Sequence, residues 1–396
     1  MRLHREAMVT AMLAAVMAQP PAHAAAGQAA PALGAAPPPP PVVAASAVLM
    51  DSRTGAVLYA RAADVLRPPA STTKVLTALV AMEHLRLDDL VPISRRAAEQ
   101  RSGSSIGLEV GERWPAGDLL AALLLASAND AAVALAEAAA GSVERFADLM
   151  TRRARAMGAR RSRFVVPHGL YHPQHLTTAR ELALITRAAL RRQEVAALVR
   201  RQTFTWLRPG LPPRVVVNRN RLLWTLPGAD GVKTGWIPQS GQCLVASATR
   251  EGWQLIAVVL DSADVFGDAA RLLEYGFTQF HLVQFASRGA VLTRAHLPGA
   301  DREVAAASSQ DVYLVVPRRA ALRSVARLRG DLRLPIPRGA EVGSLAVYAD
   351  GRLAVRVPLL AAGEVRARPW WRRALLWMCV LLAQGSGPGA TGDRCL

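Results

Sequence analysis

Hydrophobic and polar positions along the chain switch between a period near two and a period near 3.6, and the switches predict the elements. An apolar run over 42–50, polar residues at 51–55 and a second apolar run over 56–59 predict a β-hairpin. Pro68-Pro69 precedes Val75, Leu76, Leu79, Val80 and Met82, whose spacing predicts a helix starting near Ser71. Residues 101–111 hold three glycines and three serines and read as a loop. Apolar helices are expected over 119–125 and 131–140, with the polar corner Ser127-Ala128-Asn129-Asp130 between them. Such a corner is read either as a helix cap or as a turn that aims Ser127 and Asn129 one way. An amphipathic helix is expected over 178–190. A stretch at 230–235 and the apolar runs 243–249 and 253–260, joined by Arg250-Glu251-Gly252, predict a three-stranded meander, which a helix over 269–275 closes. From Arg288 on, short Val/Leu-rich segments such as 312–316 and 345–348 alternate with Pro and Gly turns and predict a small all-β domain.

The two ends differ from this pattern. Residues 1–24 have the form of a secretory signal peptide: Arg2 and Arg5, a short apolar core over 7–18, then Ala22-His23-Ala24. An Ala/Pro-rich linker follows over 25–41. At the other end Trp370-Trp371-Arg372-Arg373 leads an apolar run over 374–383. Ten residues are too few to cross a bilayer. Two tryptophans and two arginines beside them suit shallow attachment to a membrane surface, and packing against the β domain is the alternative. The expected organisation is therefore signal 1–24, linker 25–41, a main domain 42–285, a β domain 286–367 and a tail 368–396.

The chain has 396 residues, 51% of them hydrophobic, and a formal net charge of +18. That charge points to anionic surroundings, while dispersed arginines and 5% aromatic residues argue against nucleic acid. Cys243, Cys379 and Cys395 form no CxxC pair, which argues against a disulfide framework and a structural metal. Cys243 reads as a small core residue. His168, His172 and His175 stand within eight positions of each other without carboxylate or cysteine at ligand spacing, so they read as loop-packing residues.

Composition changes the picture at one point. Of the 48 basic residues only Lys74 and Lys233 are lysine. Arginine stays protonated in proteins, whereas a buried lysine can act as a base. Both lysines have chemical company: Ser71-Thr72-Thr73-Lys74 and Lys233-Thr234-Gly235. Residues i and i+3 share a helix face, so Lys74 falls beside the Ser71 hydroxyl, a base beside a nucleophile. The helix start also offers N–H groups to a developing oxyanion.

Ser71-Thr-Thr-Lys74, Ser127-Ala-Asn129 and Lys233-Thr234-Gly235 together are similar to the three motifs of penicillin-binding proteins and class A β-lactamases. From about Val43 to Ala361 the chain resembles the D-alanyl-D-alanine carboxypeptidase family of low-molecular-mass penicillin-binding proteins. The likeness includes Pro-His-Gly-Leu, Asn-Arg-Asn, Gly-Val-Lys-Thr-Gly, Leu-Val-Ala-Ser-Ala-Thr and the late Pro337-Arg-Gly-Ala-Glu-Val-Gly.

The resemblance implies an α/β (α+β) domain of the β-lactamase/transpeptidase type, an antiparallel sheet flanked by helices, followed by a small all-β domain. It implies that Ser71 forms an acyl-enzyme, Lys74 accepts its proton, and Ser127 passes a proton to the leaving amine. Asn129 would hold the substrate amide and Lys74, Lys233 would set the electrostatics, Thr234 would bind the terminal carboxylate, and Arg219 would stand near it. Gly235 belongs to the same substrate-binding strand, and the N–H groups of Ser71 and Trp236 would form the oxyanion hole. No cofactor or metal is implied. The implied partners are peptidoglycan peptide stems, β-lactams as covalent inhibitors and the membrane surface, with the protein exported to the outer face of the cytoplasmic membrane or the wall space. Two departures stand out. Ala128 replaces a common glycine, and Asp268 stands where some members carry an arginine, which bears on the electrostatics at the substrate end. A secreted serine β-lactamase and a catalytically silent penicillin- or wall-binding protein are the rival readings. The former needs a deacylating glutamate, and residues 162–176 hold none.

Overall fold

The computed structural model describes residues 38–208 and 210–368. The expected signal peptide, nearly all of the linker and all but the first residue of the expected tail lie outside these residues.

The apolar runs form a five-stranded antiparallel sheet in the order Val57–Arg61, Ser46–Asp51, Trp253–Leu260, Gly241–Arg250, Ala229–Ile237. Its three middle strands are buried on both faces, which is why they read as mostly apolar stretches. Alternate residues go to opposite sides. Val48, Met50, Val245, Ile256 and Val258 join one core, and Ala47, Leu49, Leu244, Leu255 and Val259 join the other. Helices Lys74–Ala81, Asn129–Ala140, Val143–Ala156 and Ala179–Leu190 fill the first side, and helix Val265–Gln279 covers the second. Thr178 caps Ala179–Leu190, its hydroxyl accepting from the Glu181 N–H at 3.1 Å.

Three local expectations change. The segment at Ser71 is a 3-10 turn, Ala70–Thr73, and the α-helix begins at Lys74. The helix expected over 119–125 starts earlier, at Ala116–Ala121, and widens into a π-helical turn, Ala122–Ala126, that ends on Ser127 in the left-handed region at φ 64°. The helix expected over 269–275 runs from Val265 to Gln279.

That last helix leads straight into strand Phe280–Ala286, which pairs with Val312–Pro317. A second five-stranded antiparallel sheet follows, in the order Val291–Ala295, Val304–Ser308, Arg352–Ala361, Glu341–Ala349, Leu322–Leu328. It is an all-β unit with a core of its own, built on Val342, Leu345, Val347, Val357 and Leu359. Phe280 and Val315 belong instead to the second core of the first sheet. Arg318 adds a hydrogen bond to the Phe277 carbonyl at 2.9 Å, and Arg53 covers the Tyr313 ring at 4.4 Å.

Asp268 is where the structure corrects the sequence reading. Its side chain is fully buried and accepts from the N–H groups of Val43 and Ala44 and from Ser262 Oγ at 3.1, 2.9 and 2.7 Å, with Arg271 beside it at 2.5 Å. It ties the start of the folded chain to helix Val265–Gln279 and does not line the cleft beside Ser71. Replacing it by alanine strands those donors, so Asp268→Ala is expected to cost about 3 kcal/mol in urea unfolding.

Candidate active site

Three segments meet at the end of the helical layer. The first is the 3-10 turn with Ser71. Thr72 Oγ1 donates to the Pro69 carbonyl at 2.6 Å and Thr73 Oγ1 to the Ala70 carbonyl at 2.8 Å, so both threonines are spent on holding the turn. The loop at 167–170 braces it from below. Gly169, at φ +83°, lies so close that a Cβ there would stand 1.9 Å from the Ala70 carbonyl oxygen.

The second segment is the corner after the π turn. Ser127 and Asn129 are both buried there. The helix-cap reading fails: Asn129–Ala140 begins after Ala128 with no side-chain cap. Asn129 Nδ2 instead donates to the Ser102 carbonyl at 2.8 Å, and its Oδ1 faces Lys74. Asp130 gathers the loop, accepting from the N–H groups of Ile106, Gly107 and Leu108.

The third segment is the sheet's edge strand, Ala229–Ile237, with Lys233, Thr234 and Gly235. Gly235 packs backbone to backbone on the nucleophile turn, since a Cβ there would meet the Ser71 and Thr72 nitrogens at 3.0 and 3.1 Å. This contact brings the main chain around residues 235–236 against the Ser71 N–H. Asn218 and Asn220 fix the adjoining loop, donating to the Arg201 carbonyl at 3.0 Å and the Gly231 carbonyl at 2.6 Å. Between them Arg219 projects and donates to Ser104 Oγ at 2.8 Å.

Lys74 is completely buried where the segments meet. Its Nζ lies 2.9 Å from Ser71 Oγ, 2.7 Å from Asn129 Oδ1 and 2.6 Å from the His168 carbonyl oxygen. Burial pushes its pKa well below the ordinary lysine value, and the charges of Lys233 and Arg219 push the same way. A neutral amine has two N–H donors and one lone pair. It can donate to Asn129 and His168, leaving the lone pair for the Ser71 hydroxyl proton.

Lys233 is equally buried. Burial, then the charge of Arg219, brings it down to about 7. Its Nζ donates to the Thr234 carbonyl at 3.1 Å and has no carboxylate partner among the described residues. Neither lysine lines the cleft. They lie behind it, while Ser71, Ser127, Asn129, Arg219, Thr234 and Gly235 line a space of about 570 Å³ with no carboxylate in its wall.

The histidines serve this frame. The His168 carbonyl holds Lys74, and His175 Nε2 pairs with Thr73 Oγ1 at 2.8 Å while its Nδ1 accepts from the Val165 N–H at 3.0 Å. Burial brings both rings down to about 3, so they are neutral at pH 7. Among the described residues no group of His, Cys, Asp or Glu is arranged to hold a metal ion. Cys243 is buried and free. Sequence reasoning missed the roles of the His168 carbonyl and of Arg221 and Phe266. The last two line the cleft, with the Arg221 guanidinium 5.7 Å from the Phe266 ring centre.

The sequence profile described as D-alanyl-D-alanine carboxypeptidase matches residues 34–264, and the one described as penicillin-binding protein 5, C-terminal domain, matches residues 280–367. The D-alanyl-D-alanine carboxypeptidase DacF of Bacillus subtilis is 29% identical over 81% of this chain and 85% of its own length. DacC of Escherichia coli is 31% identical over 85% of this chain and 87% of its own length. The crystal structure of penicillin-binding protein 5 from Haemophilus influenzae superposes with a TM-score of 0.75 at 28% identity, covering 83% of this chain and 99% of that one. With these matches and the buried lysine beside its serine, the chain belongs to the D-alanyl-D-alanine carboxypeptidase family of serine peptidases.

Proposed function

We propose that this protein is a serine-type D-Ala-D-Ala carboxypeptidase that removes the terminal D-alanine from peptidoglycan stem pentapeptides through an acyl-enzyme on Ser71. The observation that carries the reading is the buried Lys74 amine in contact with Ser71 Oγ. Lys74 takes the hydroxyl proton as Ser71 Oγ bonds to the carbonyl carbon of the penultimate D-alanine. The N–H groups of Ser71 and Trp236 stabilise the resulting oxyanion. The C–N bond then breaks, and the proton reaches the leaving amine through Ser127. Water hydrolyses the ester and restores Ser71. Asn129 orients both the substrate amide and Lys74, while Thr234, Arg219 and the charge of Lys233 receive the terminal carboxylate. A β-lactam opens on the same serine but keeps its leaving amine tethered, which favours a long-lived adduct. Among the described residues the cleft wall holds no carboxylate of the kind that deacylates class A β-lactamases, which supports this.

The test is direct. Labelled penicillin should stay on Ser71, and a peptide ending in D-Ala-D-Ala should release D-alanine; Ser71→Ala should lose both. Rapid penicillin turnover, or no labelling of the intact chain, would overturn the reading.

The two lysines set the pH dependence. Lys74 must be neutral, so kcat/KM rises as pH passes upward through its lowered pKa. Lys233 must be charged, so kcat/KM falls as pH passes through its own pKa, about 7 in the free enzyme. A bound carboxylate favours the charged form, so the falling limb of kcat is expected at higher pH than that of kcat/KM. A kcat/KM that still rises at pH 9 contradicts the role given to Lys233.

The same reading has the chain exported, with its tail on the outer face of the cytoplasmic membrane. Its supports are the three-part leader at 1–24 and the Trp370-Trp371-Arg372-Arg373 segment. Cleavage after Ala24, and release from the membrane fraction when residues 369–396 are removed, are the expected results.

A further inference from the structure

Strands Leu322–Leu328, Glu341–Ala349 and Arg352–Ala361 bury one face in the core of the β domain through Leu345, Val347, Val357 and Leu359. The other face is set by register. Arg323 lies opposite Tyr348, Arg327 opposite Ser344, and Ala346 opposite Arg356. Because side chains alternate along a strand, these six residues share the outer face. Together they form a groove of about 490 Å³, with the small Ser344 and Ala346 on its floor and the arginines and Tyr348 around them.

The groove wall contains no carboxylate. Asp350, at the adjoining turn, accepts from the Ala321 N–H at 2.8 Å. The ion pairs of this domain join Arg302 to Asp301, Arg329 to Asp331 and Arg366 to Glu364, and none includes Arg323, Arg327 or Arg356. Three arginines thus line one concave surface with no carboxylate ion-paired to them among the described residues. Strand geometry separates Arg323 and Arg327 by about 13 Å and sets the Arg356 strand about 10 Å across from theirs.

We propose that this groove binds a linear polyanionic glycan. The planar guanidiniums take phosphate or carboxylate groups in paired hydrogen bonds, and Tyr348 gives a sugar ring an apolar face. Spacing and shape select the occupant. Charges spaced along and across a concave channel match a strand carrying anionic groups at intervals. A bilayer surface instead calls for a convex face with protruding apolar anchors, whereas the apolar residues lining this groove, Leu322 and Val325, are half-buried beside the small Ser344 and Ala346. The site is independent of the Ser71 chemistry and holds the enzyme against anionic polymer outside the cytoplasm.

The test uses the full chain, fluorescent dextran sulfate as the probe, neutral dextran as the reference, and phosphatidylglycerol vesicles. At physiological salt, joint replacement Arg323→Ala, Arg327→Ala and Arg356→Ala is expected to weaken dextran sulfate binding about tenfold or more and to flatten its salt dependence. Replacing the exposed Arg145, Arg160 and Arg191 by alanine removes the same charge elsewhere and should change binding by less than about threefold. D-alanine release from a soluble peptide should be equal in both variants, which also shows that both are folded. An Arg→Gln version of the groove triple, which keeps the polar stems, should behave like the alanine version. Equal weakening by the two alanine triples, equal binding of neutral dextran, or loss of vesicle binding with dextran sulfate binding intact would each overturn the proposal. The last result would assign the groove to a membrane.

Discussion

Lys74→Arg is expected to lower the rate of Ser71 acylation by labelled penicillin by about a thousandfold or more, the scale of a lost general base. Charge is not what the substitution removes. A guanidinium does not lose its proton in proteins, so the lone pair that would receive the serine proton disappears. The site is also completely enclosed, with three oxygens at 2.6–2.9 Å fitted to a single nitrogen. Lys233 and Arg219 already lie near enough to depress the Lys74 pKa, and a permanent charge there would face both. Labelled adduct followed by mass spectrometry over time gives the rate, and penicillin affinity before acylation separates binding from chemistry. An acylation rate within about threefold of the parent contradicts the general-base role.

Gly169→Ala is expected to be the most damaging change that removes no functional group. Its φ of +83° disfavours any residue with a Cβ, and the added carbon would stand 1.9 Å from the Ala70 carbonyl oxygen and 2.8 Å from Thr73 Oγ1. The obstacle is backbone, so the nucleophile turn must move. The carbonyl of the preceding residue, His168, holds Lys74 and would move with it. A shift of about 1 Å can cost about a hundredfold in rate, and strain of this kind about 2–3 kcal/mol or more in stability. Urea unfolding and penicillin acylation measured on one preparation are expected to fall together. A variant with parental stability and acylation would show that the loop does not brace the turn.

Much of this site could be read from the sequence because its chemistry is carried by side chains of restricted type. In a chain that uses arginine almost everywhere, the two lysines marked the buried amines, and the serine three residues earlier marked the hydroxyl that Lys74 contacts. The sheet was legible where both faces are buried, because such strands carry mostly apolar residues, with the few polar ones, such as Ser46, Asp51 and Ser247, held by hydrogen bonds. What escaped was carried by the backbone or by long-range packing. No residue pattern announces that the His168 carbonyl accepts from Lys74, or that Gly169 must leave room for Ala70. The π turn before Ser127 lies in a run of Ala and Leu that an ordinary helix would fit as well. Asp268 drew attention through the family likeness, but its partners at Val43 and Ala44 are more than two hundred residues away in sequence. The cap reading of Asn129 failed for a similar reason: its real partners are on Lys74 and on the loop at 102.

The chemistry at Ser71 depends on a Lys74 amine that gives up its proton well below the ordinary lysine range, and the rarity of lysine makes this measurable. With ε-carbon-labelled lysine, the chain carries two labelled side chains, and Lys74→Arg assigns them. In an NMR pH titration the Lys74 carbon is predicted to pass to its neutral-amine position well below the ordinary lysine value of 10.5. A Lys74 carbon that keeps its ammonium shift up to the ordinary range would contradict the account.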